Sequence, residues 1–332
     1  MFETHVLEDK FKMFEIYFKN YTLFWISASK IHSSGRPSGG CLFGFKKQFQ
    51  KSYMLKFCNL FNNPVLRAQF NGEIFYFIPR YLNCTNWKND FDKFYNFIHE
   101  FKENNFCIVG DLNARLSDKQ ILDDNLLNNL PQYNNIRMSN DKKLNGEGKK
   151  LYELIEDIGG IILNGRTKGD FAGDFTFIGG RGNSVIDYSI CSHSFLHLVD
   201  TMSVGSDPFF DHLPIRLNLK FLSRNVVEKT RSKLSWNRKN SVKYSQKLGL
   251  LATNVDLQST ISTDDLIDSI TNKVKEANSS NSQKPFFEGK QPWFDCKCAR
   301  YRKQLTKALN TYKNQYSEYN KQVYLTSKTL KN

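Results

Sequence analysis

Apolar residues in the middle of the chain follow the spacing of an amphipathic helix. The residues concerned are Trp87, Phe91, Phe94, Ile98 and Phe101. Since they recur every three or four positions, they lie on one face of a helix, and we predict that this aromatic face is part of the core. A second helix is predicted from Glu147 to Ile158, where Gly159-Gly160 ends the pattern.

Short apolar runs elsewhere in the chain predict strands. These runs are Tyr21–Ile26, Cys41–Phe45, Phe106–Val109, Ile161–Leu163, Phe175–Phe177, Val185–Cys191 and Ile215–Leu219. Asn71-Gly72 separates two further strand-like segments, which is typical of a hairpin turn. Many strands with few intervening helices predict an α+β fold, in which two packed sheets are covered by helices on the outside.

The pattern changes beyond residue 221. Residues 222–332 are polar and rich in Ser and Asn, with helices predicted at Asp264–Ala277 and Cys298–Tyr319. We therefore predict a folded domain at residues 1–221 and a basic, partly helical, linker-like region at residues 222–332. Because the second region has little apolar surface to bury, we expect that it does not pack with the two-sheet core.

The formal net charge of +14 is concentrated in the second region. Residues 1–221 have 26 Lys and Arg against 24 Asp and Glu, a net charge of +2, whereas residues 222–332 have 21 against 9, a net charge of +12. Such a charge fits contact with the phosphate backbone of a nucleic acid, because counterion release supplies the free energy of binding. A solvated basic surface without a ligand is the alternative.

Composition also bears on the compartment. No apolar run approaches the roughly 20 residues of a membrane span, and the start Met1–His5 lacks the basic-then-apolar order of a signal peptide. We therefore expect an intracellular protein without membrane contact. The cysteines number seven, and only Cys296 and Cys298 lie close together, at a spacing unlike that of zinc pairs. This favours free thiols over disulfides or a zinc site.

Three acid-bearing segments lie next to apolar runs. Asp111 and Asn113 follow the run at 106–109 at a spacing of two, so both side chains point to one side of an extended backbone. Asp187 lies within another run, and Asp211-His212 precedes a third. Any one of these is typical of a turn or a helix cap. The three together favour a functional site.

Carboxylate and amide oxygens without a cluster of Cys or His fit Mg²⁺, with Mn²⁺ as the alternative ion. Mg²⁺ keeps several waters and takes one or two carboxylates together with a substrate phosphate. A carboxylate such as Asp187 can orient His212, which supplies a polar contact or a proton to a phosphate ester, and Asp111 can position or deprotonate an attacking water. These residues predict phosphodiester hydrolysis without a small-molecule cofactor.

Eight segments occur in an order that resembles a known family. They are Glu3-Thr4-His5, Gly35–Gly40, Ile78-Pro79, Gly110-Asp111-Leu112-Asn113, Asn164-Gly165-Arg166-Thr167, Asp174–Phe177, Ser184–Tyr188 and Asp211–Ile215. The chain resembles the apurinic-endonuclease-like domain of non-LTR retrotransposon polyproteins, of the endonuclease/exonuclease/phosphatase superfamily, over roughly residues 1–221. The run Lys290–Asp295 and the basic helical sequence after it resemble the linker that precedes reverse transcriptase in such polyproteins.

The resemblance implies catalytic roles for four of the residues above. Asp111 would activate the nucleophile, and Asn113 would contact the scissile phosphate as a catalytic and substrate-binding residue. Asp187 would orient His212. His212 would then stabilise or protonate the phosphate.

The resemblance further implies that Glu3 and Asp211 belong to the metal site and that Thr176 contacts substrate. The chain also departs from the family pattern at several positions. The family's first strand, which has a metal-site asparagine, has no counterpart, so the chain resembles an N-terminally truncated copy. Phe77 replaces a tyrosine, and Phe210 replaces the serine that normally precedes Asp211. Each replacement removes a hydroxyl group from the implied site.

The function that the resemblance implies is a magnesium-dependent DNA endonuclease. It would nick target DNA in the nucleus and leave a 3′-hydroxyl that primes reverse transcription. One alternative is a catalytically inactive retrotransposon-derived fragment that binds nucleic acid nonspecifically. A second alternative is a phosphatase of the same superfamily acting on small phosphoesters, since one fold hosts many functions.

Overall fold

A mixed sheet of six strands lies at the centre of the fold. The computed structural model of the chain describes residues 1–30, 35–61, 63–127, 130–207, 210–220, 241–252, 263–279 and 295–329. The strands within these ranges are Tyr21–Ile26 (β1), Cys41–Lys46 (β2), Lys56–Leu60 (β3), Asn63–Phe70 (β4), Glu73–Tyr81 (β5), Phe106–Asp111 (β6), Gly160–Ile162 (β7), Phe177–Gly179 (β8), Gly182–Ser184 (β9), Asp187–Ser192 (β10), Val199–Val204 (β11) and Ile215–Leu219 (β12).

The helices lie between the strands and form most of the described C-terminal part. They are Phe11–Glu15 (α1), Lys47–Ser52 (α2), Trp87–His99 (α3), Gly146–Asp157 (α4), Ser241–Ala252 (α5), Thr263–Ser279 (α6), Cys296–Asn314 (α7) and Glu318–Thr329 (α8). Short 3₁₀ turns lie at Glu8–Lys10, Ile16–Phe18, Asp124–Leu127 and His193–Leu198.

The central sheet has the strand order β3-β4-β5-β6-β10-β7. Strands β5 and β6 are parallel, and the other neighbours in this sheet are antiparallel. The remaining strands form the pairs β1–β2, β8–β9 and β11–β12. The predicted α+β fold class is confirmed. The predicted hairpin is also present between β4 and β5, where Asn71 and Gly72 have φ angles of 50° and 86°, as a two-residue turn of positive φ requires.

The two faces of the central sheet pack into two apolar clusters. Successive residues of a strand point to opposite faces, so Ile108 belongs to the first cluster and Cys107 to the second. Helices α3 and α4 cover the first face, with Phe94 and Leu151 among the buried residues. The predicted aromatic helix therefore does belong to the core. The second cluster includes residues of β11 and β12, such as Met202, and forms the second layer.

The described residues fall into two compact units. One consists of those within Met1–Leu222 and Tyr301–Asn332, and the other of those within Ser223–Arg300. In the second unit α5 and α6 contact each other, and Lys247 Nζ donates a hydrogen bond to the carbonyl of Glu276 at 3.0 Å. Residues 290–294 of the linker-like run lie outside the described residues. None of the described helices has the length and apolar character needed to cross a membrane.

The C-terminal helices correct one expectation from the sequence. We call the described residues 301–329 the C-terminal arm; they comprise α7 from Tyr301 onward and α8. The arm buries Leu305, Leu309, Tyr312 and Tyr324 in the second apolar cluster. The prediction that residues 222–332 stay off the core is therefore wrong for the arm. The apolar stripe is narrow, and the high charge of the surrounding sequence masked it.

Replacing Leu309 by Ala is expected to lower the free energy of unfolding by about 2–5 kcal/mol, because the side chain is fully buried and its removal leaves a cavity. Chemical denaturation followed by tryptophan fluorescence measures the change. Lys307→Ala on the same helix is the control, since Lys307 is exposed. Equal stability of the two variants would contradict the burial of the arm.

Candidate active site

Two carboxylates meet where β6 ends and β10 begins. Asp111 is the last residue of β6 and lies directly opposite Asp187, the first residue of β10, in the antiparallel register. Residues opposite each other on antiparallel strands have side chains on the same face. Asp111 is 5% exposed. The strand pairing therefore forces two acidic side chains together at the rim of the sheet.

His212 completes this pair. Its backbone forms a bridge with Phe177 of β8, and the Phe177 ring lies edge-on to the imidazole with centroids 5.1 Å apart. Nδ1 lies 3.1 and 3.0 Å from the two carboxylate oxygens of Asp187, and Nε2 lies 3.9 Å from Oδ2 of Asp111. The predicted hydrogen bond between Asp187 and His212 is confirmed. The catalytic roles of both residues stay predictions.

Burial and mutual charge shift the pKa values of these groups. Burial, and next the charge of Asp187, raise the pKa of Asp111 to about 7. Burial lowers the pKa of His212, but the hydrogen bond and the charge of Asp187 outweigh it and raise this pKa to about 9. The two shifts favour a cationic imidazole at neutral pH and hold the pKa of Asp111 well above that of a free carboxyl.

Asn113 lies beside Asp111 through a turn and not through the predicted extended backbone, since β6 ends at Asp111 and Asn113 has a φ of 46°. Its backbone N–H donates to Oδ1 of Asp111 at 3.0 Å, and Nδ2 donates to the carbonyl of Leu82 at 2.9 Å and to Oδ2 of Asp111 at 3.2 Å. Both amide hydrogens are engaged, so the implied contact with a phosphate requires that one be released from Asp111. This contact stays a prediction.

Glu3 and Asp211 lie near the same rim but have other partners. Oε1 of Glu3 accepts a hydrogen bond from the hydroxyl of Tyr81, which is opposite Asp111 in the β5–β6 register. Oδ1 of Asp211 lies 2.6 Å from Nζ of Lys328, in the C-terminal arm. Their implied metal-binding roles stay predictions.

The side chains that come close enough to share a cation are Asp111, Asp187 and His212. Among the described residues, these three have ligand atoms that all lie within 4.8 Å of one another. Mg²⁺ takes one or two carboxylates together with waters, so these carboxylates fit the ion. Nδ1 of His212 is hydrogen-bonded to Asp187, so the carboxylate oxygens are the atoms suited to bind the ion.

Thr176 and Asn164 hold the start of β10 in place. Oγ1 of Thr176 accepts hydrogen bonds from the backbone N–H groups of Ile186 and Asp187, both at 3.1 Å. Asn164 accepts from the N–H of Ser189 at 2.9 Å and donates to the carbonyl of Asp187 at 3.1 Å. Thr176 is fully buried, so its side chain here supports Asp187. Its implied contact with substrate stays a prediction.

Asp141 also supports this region, although no sequence pattern indicates it. Its carboxylate accepts from Nε of Arg115 at 2.8 Å and from the backbone N–H of Val185 at 3.0 Å. It thereby fixes the chain two residues before Asp187. Asn164 had a weak signal, since it directly follows the apolar run at 161–163 and lies in a segment of the family resemblance.

Comparison with known proteins gives matches among solved structures alone. No protein-family model and no curated protein matches the chain. The endonuclease domain of TRAS1, a telomere-specific non-LTR retrotransposon, has a TM-score of 0.41 and 16% identity, over 61% of this chain and 79% of that one. AP endonuclease LMAP from Leishmania major has a TM-score of 0.47 and 13% identity, over 65% and 76%.

A further similar structure is the 3′-5′ exonuclease NExo from Neisseria meningitidis. It has a TM-score of 0.43 and 14% identity, over 66% of this chain and 87% of that one. At such low identities and TM-scores, these similarities assign no function to the chain. Its chemistry has to be inferred from the side chains at the rim of the sheet.

Proposed function

We propose that this chain hydrolyses phosphodiester bonds in DNA as a magnesium-dependent endonuclease that leaves a 3′-hydroxyl. The observation that carries the proposal is the hydrogen-bonded pair of Asp187 and His212 facing the buried carboxylate of Asp111. A cationic imidazole is suited to donate a hydrogen bond to the phosphate, and a carboxylate with a pKa near neutrality is suited to accept a proton from the attacking water. The order of motifs along the chain supports the same reaction.

Each residue has a defined task in this reaction. Asp111 accepts a proton from the attacking water, whose oxygen forms a bond to phosphorus while the bond from phosphorus to O3′ breaks. His212, held by Asp187, donates a hydrogen bond through Nε2–H to a non-bridging oxygen, and O3′ takes a proton from solvent. A divalent cation held by the carboxylate of Asp111 would supply positive charge to the phosphate, because both oxygens of Asp187 lie against Nδ1 of His212.

DNA is the proposed partner, because residues 222–332 have a net charge of +12. In this proposal residues 1–221 provide the catalytic residues, and residues 222–332 provide most of the positive charge, with the C-terminal arm packed on the core. The 3′-hydroxyl would prime reverse transcription at the nicked site, and the protein would act in the nucleus. Glu3 would join the metal site when substrate binds, whereas Asp211 would stay paired with Lys328.

A catalytically inactive protein that binds nucleic acid is the second candidate. The engagement of Asp211 by Lys328 favours it, since an ammonium group occupies a carboxylate that the family resemblance assigns to the metal. In that case the basic residues would bind DNA and no strand would be cleaved.

A plasmid-nicking assay tests the two candidates. The full chain is expected to convert supercoiled plasmid to open circles with Mg²⁺ but not with EDTA, and a DNA polymerase should extend the nicks from their 3′-hydroxyl ends. Asp111→Ala should lower the rate about 100-fold or more, because a positioned base contributes on that order. DNA binding without any Mg²⁺-dependent nicking would support the inactive candidate, and turnover of small phosphoesters alone would point to a phosphatase.

A further inference from the structure

The C-terminal arm contacts the segments that hold the active site, through two lysines. Nζ of Lys313 lies 3.0 Å from Oδ2 of Asp174 and donates a hydrogen bond to the carbonyl of Val204 at 2.7 Å. The side chain of Lys313 is only 11% exposed. A buried ammonium is stable only where its charge and its N–H groups have partners, so this contact fixes Asp174 and the end of β11 against the arm.

The second contact is the ion pair between Lys328 and Asp211. Nζ of Lys328 lies 2.6 Å from Oδ1 of Asp211, and its side chain is 20% exposed. The same ammonium lies 5.7 Å from the ring centroid of Tyr324, which is fully buried. The lysine is thus held against a rigid aromatic surface one turn earlier on its own helix. It fixes the residue that directly precedes His212.

Backbone hydrogen bonds connect these anchored residues to the catalytic pair. The N–H of Ile178 donates to the carbonyl of Asp211 at 2.8 Å, and the N–H of Leu213 donates to the carbonyl of Thr176 at 2.6 Å. Thr176 in turn accepts from the N–H of Asp187. Both partners of the Asp187–His212 hydrogen bond therefore belong to segments that the arm holds from outside.

We propose that Lys313 and Lys328 are positioning residues of the active site and that the arm is a working part of the catalytic unit. Lys328 acts through Asp211 on His212, and Lys313 acts through Asp174 on the segment of Thr176. Neither needs to touch substrate. The inference rests on the proposed function for its effect on catalysis, whereas its effect on the backbone is independent of any activity.

Lys328→Ala in the full chain is the test, with Lys328→Arg for rescue. We expect kcat for nicking to fall about 10- to 100-fold, because displacement of a reacting group by about 1 Å costs on the order of 100-fold. KM should change by less than about threefold, since no contact with DNA is removed. Arg keeps the charge and the reach, so Lys328→Arg should restore kcat. Thermal unfolding should change little, because a partly exposed ion pair contributes little to stability.

Lys321→Ala is the matched control. Lys321 lies on the same helix, and its ammonium forms no ion pair with the described residues, so kcat should remain unchanged. Hydrogen exchange provides the second readout. The amides of Ile178 and Leu213 should exchange faster in Lys328→Ala than in the parent chain or in Lys321→Ala, because the segment of His212 opens more often.

The two readouts separate the possible outcomes. An unchanged kcat, or a rise in KM alone, would overturn the positioning role in favour of a structural or a DNA-binding one. Unchanged exchange at Ile178 and Leu213 would overturn it as well. If the parent chain does not nick DNA, the proposed function fails, and the exchange rates alone then decide whether Lys328 holds the segment of His212.

Discussion

His212→Ala is expected to lower kcat/KM for Mg²⁺-dependent nicking about 100- to 1,000-fold, the range found when one hydrogen-bond donor to a developing negative charge is removed. The imidazole is cationic at neutral pH because Asp187 holds it. Alanine removes both the charge and the donor that the proposed reaction directs at the phosphate. Initial rates on supercoiled plasmid at several DNA concentrations measure the effect.

Asp187→Asn tests whether Asp187 and His212 act as one hydrogen-bonded pair or contribute separately to the nicking rate. Asparagine keeps the shape of the side chain but removes the charge that raises the pKa of His212, so we expect a loss of at least about 10-fold. Because both residues act through one hydrogen bond, the double variant should be about as slow as His212→Ala alone. His193→Ala is the control, since His193 is exposed. Losses that multiply in the double variant would refute the coupling.

Arg166→Met is expected to lower the free energy of unfolding by about 3–5 kcal/mol. The Arg166 side chain is fully buried, and its guanidinium donates to the carbonyls of Ile162 at 2.7 Å, Gln120 at 3.0 Å and Asn135 at 3.0 Å. Methionine fills a similar volume but leaves these carbonyls without a donor, and each buried unpaired group costs about 1–3 kcal/mol.

Arg181→Met is the matched control for that substitution. Arg181 is exposed, so its replacement should change the free energy of unfolding by no more than about 0.5 kcal/mol. Urea denaturation of both variants, followed by circular dichroism, gives the comparison. A loss below about 1 kcal/mol in Arg166→Met would mean that water replaces the guanidinium, and that Arg166 does not determine the stability of the fold.

The elements that the sequence predicts well are those with local causes. Strands Tyr21–Ile26 and Ile215–Leu219 have the predicted bounds. A continuous or alternating apolar run indicates a strand whichever strand it pairs with. The hairpin at Asn71-Gly72 follows from the tolerance of these residues for positive φ. The helix predicted at Cys298–Tyr319 is instead two helices, since the chain breaks at 315–317, where Ser317 Oγ accepts from the N–H of Asn320.

The sequence predicts the ionisable residues of the candidate site but not the residues that position them. Asp111, Asp187 and His212 stand out because three acid-bearing segments beside apolar runs are unusual in one chain, although each segment alone is not. The hydroxyl of Thr176 supports Asp187 through backbone N–H groups eleven and ten residues away, and no spacing rule links such positions. The partners Asp211 and Lys328 are 117 residues apart, a distance over which composition gives no information about pairing.

The ion pair between Lys328 and Asp211 has a consequence for the order in which the protein is made. His212 leaves the ribosome 116 residues before Lys328 (328 minus 212). At the usual rate of about 5–20 residues per second, roughly 6–23 s pass between the two events. During that interval the nascent chain has the acids and the histidine but not the lysine that pairs with Asp211. The catalytic rim is therefore among the last parts of the domain to be completed, since closing such long-range contacts is intrinsically slow.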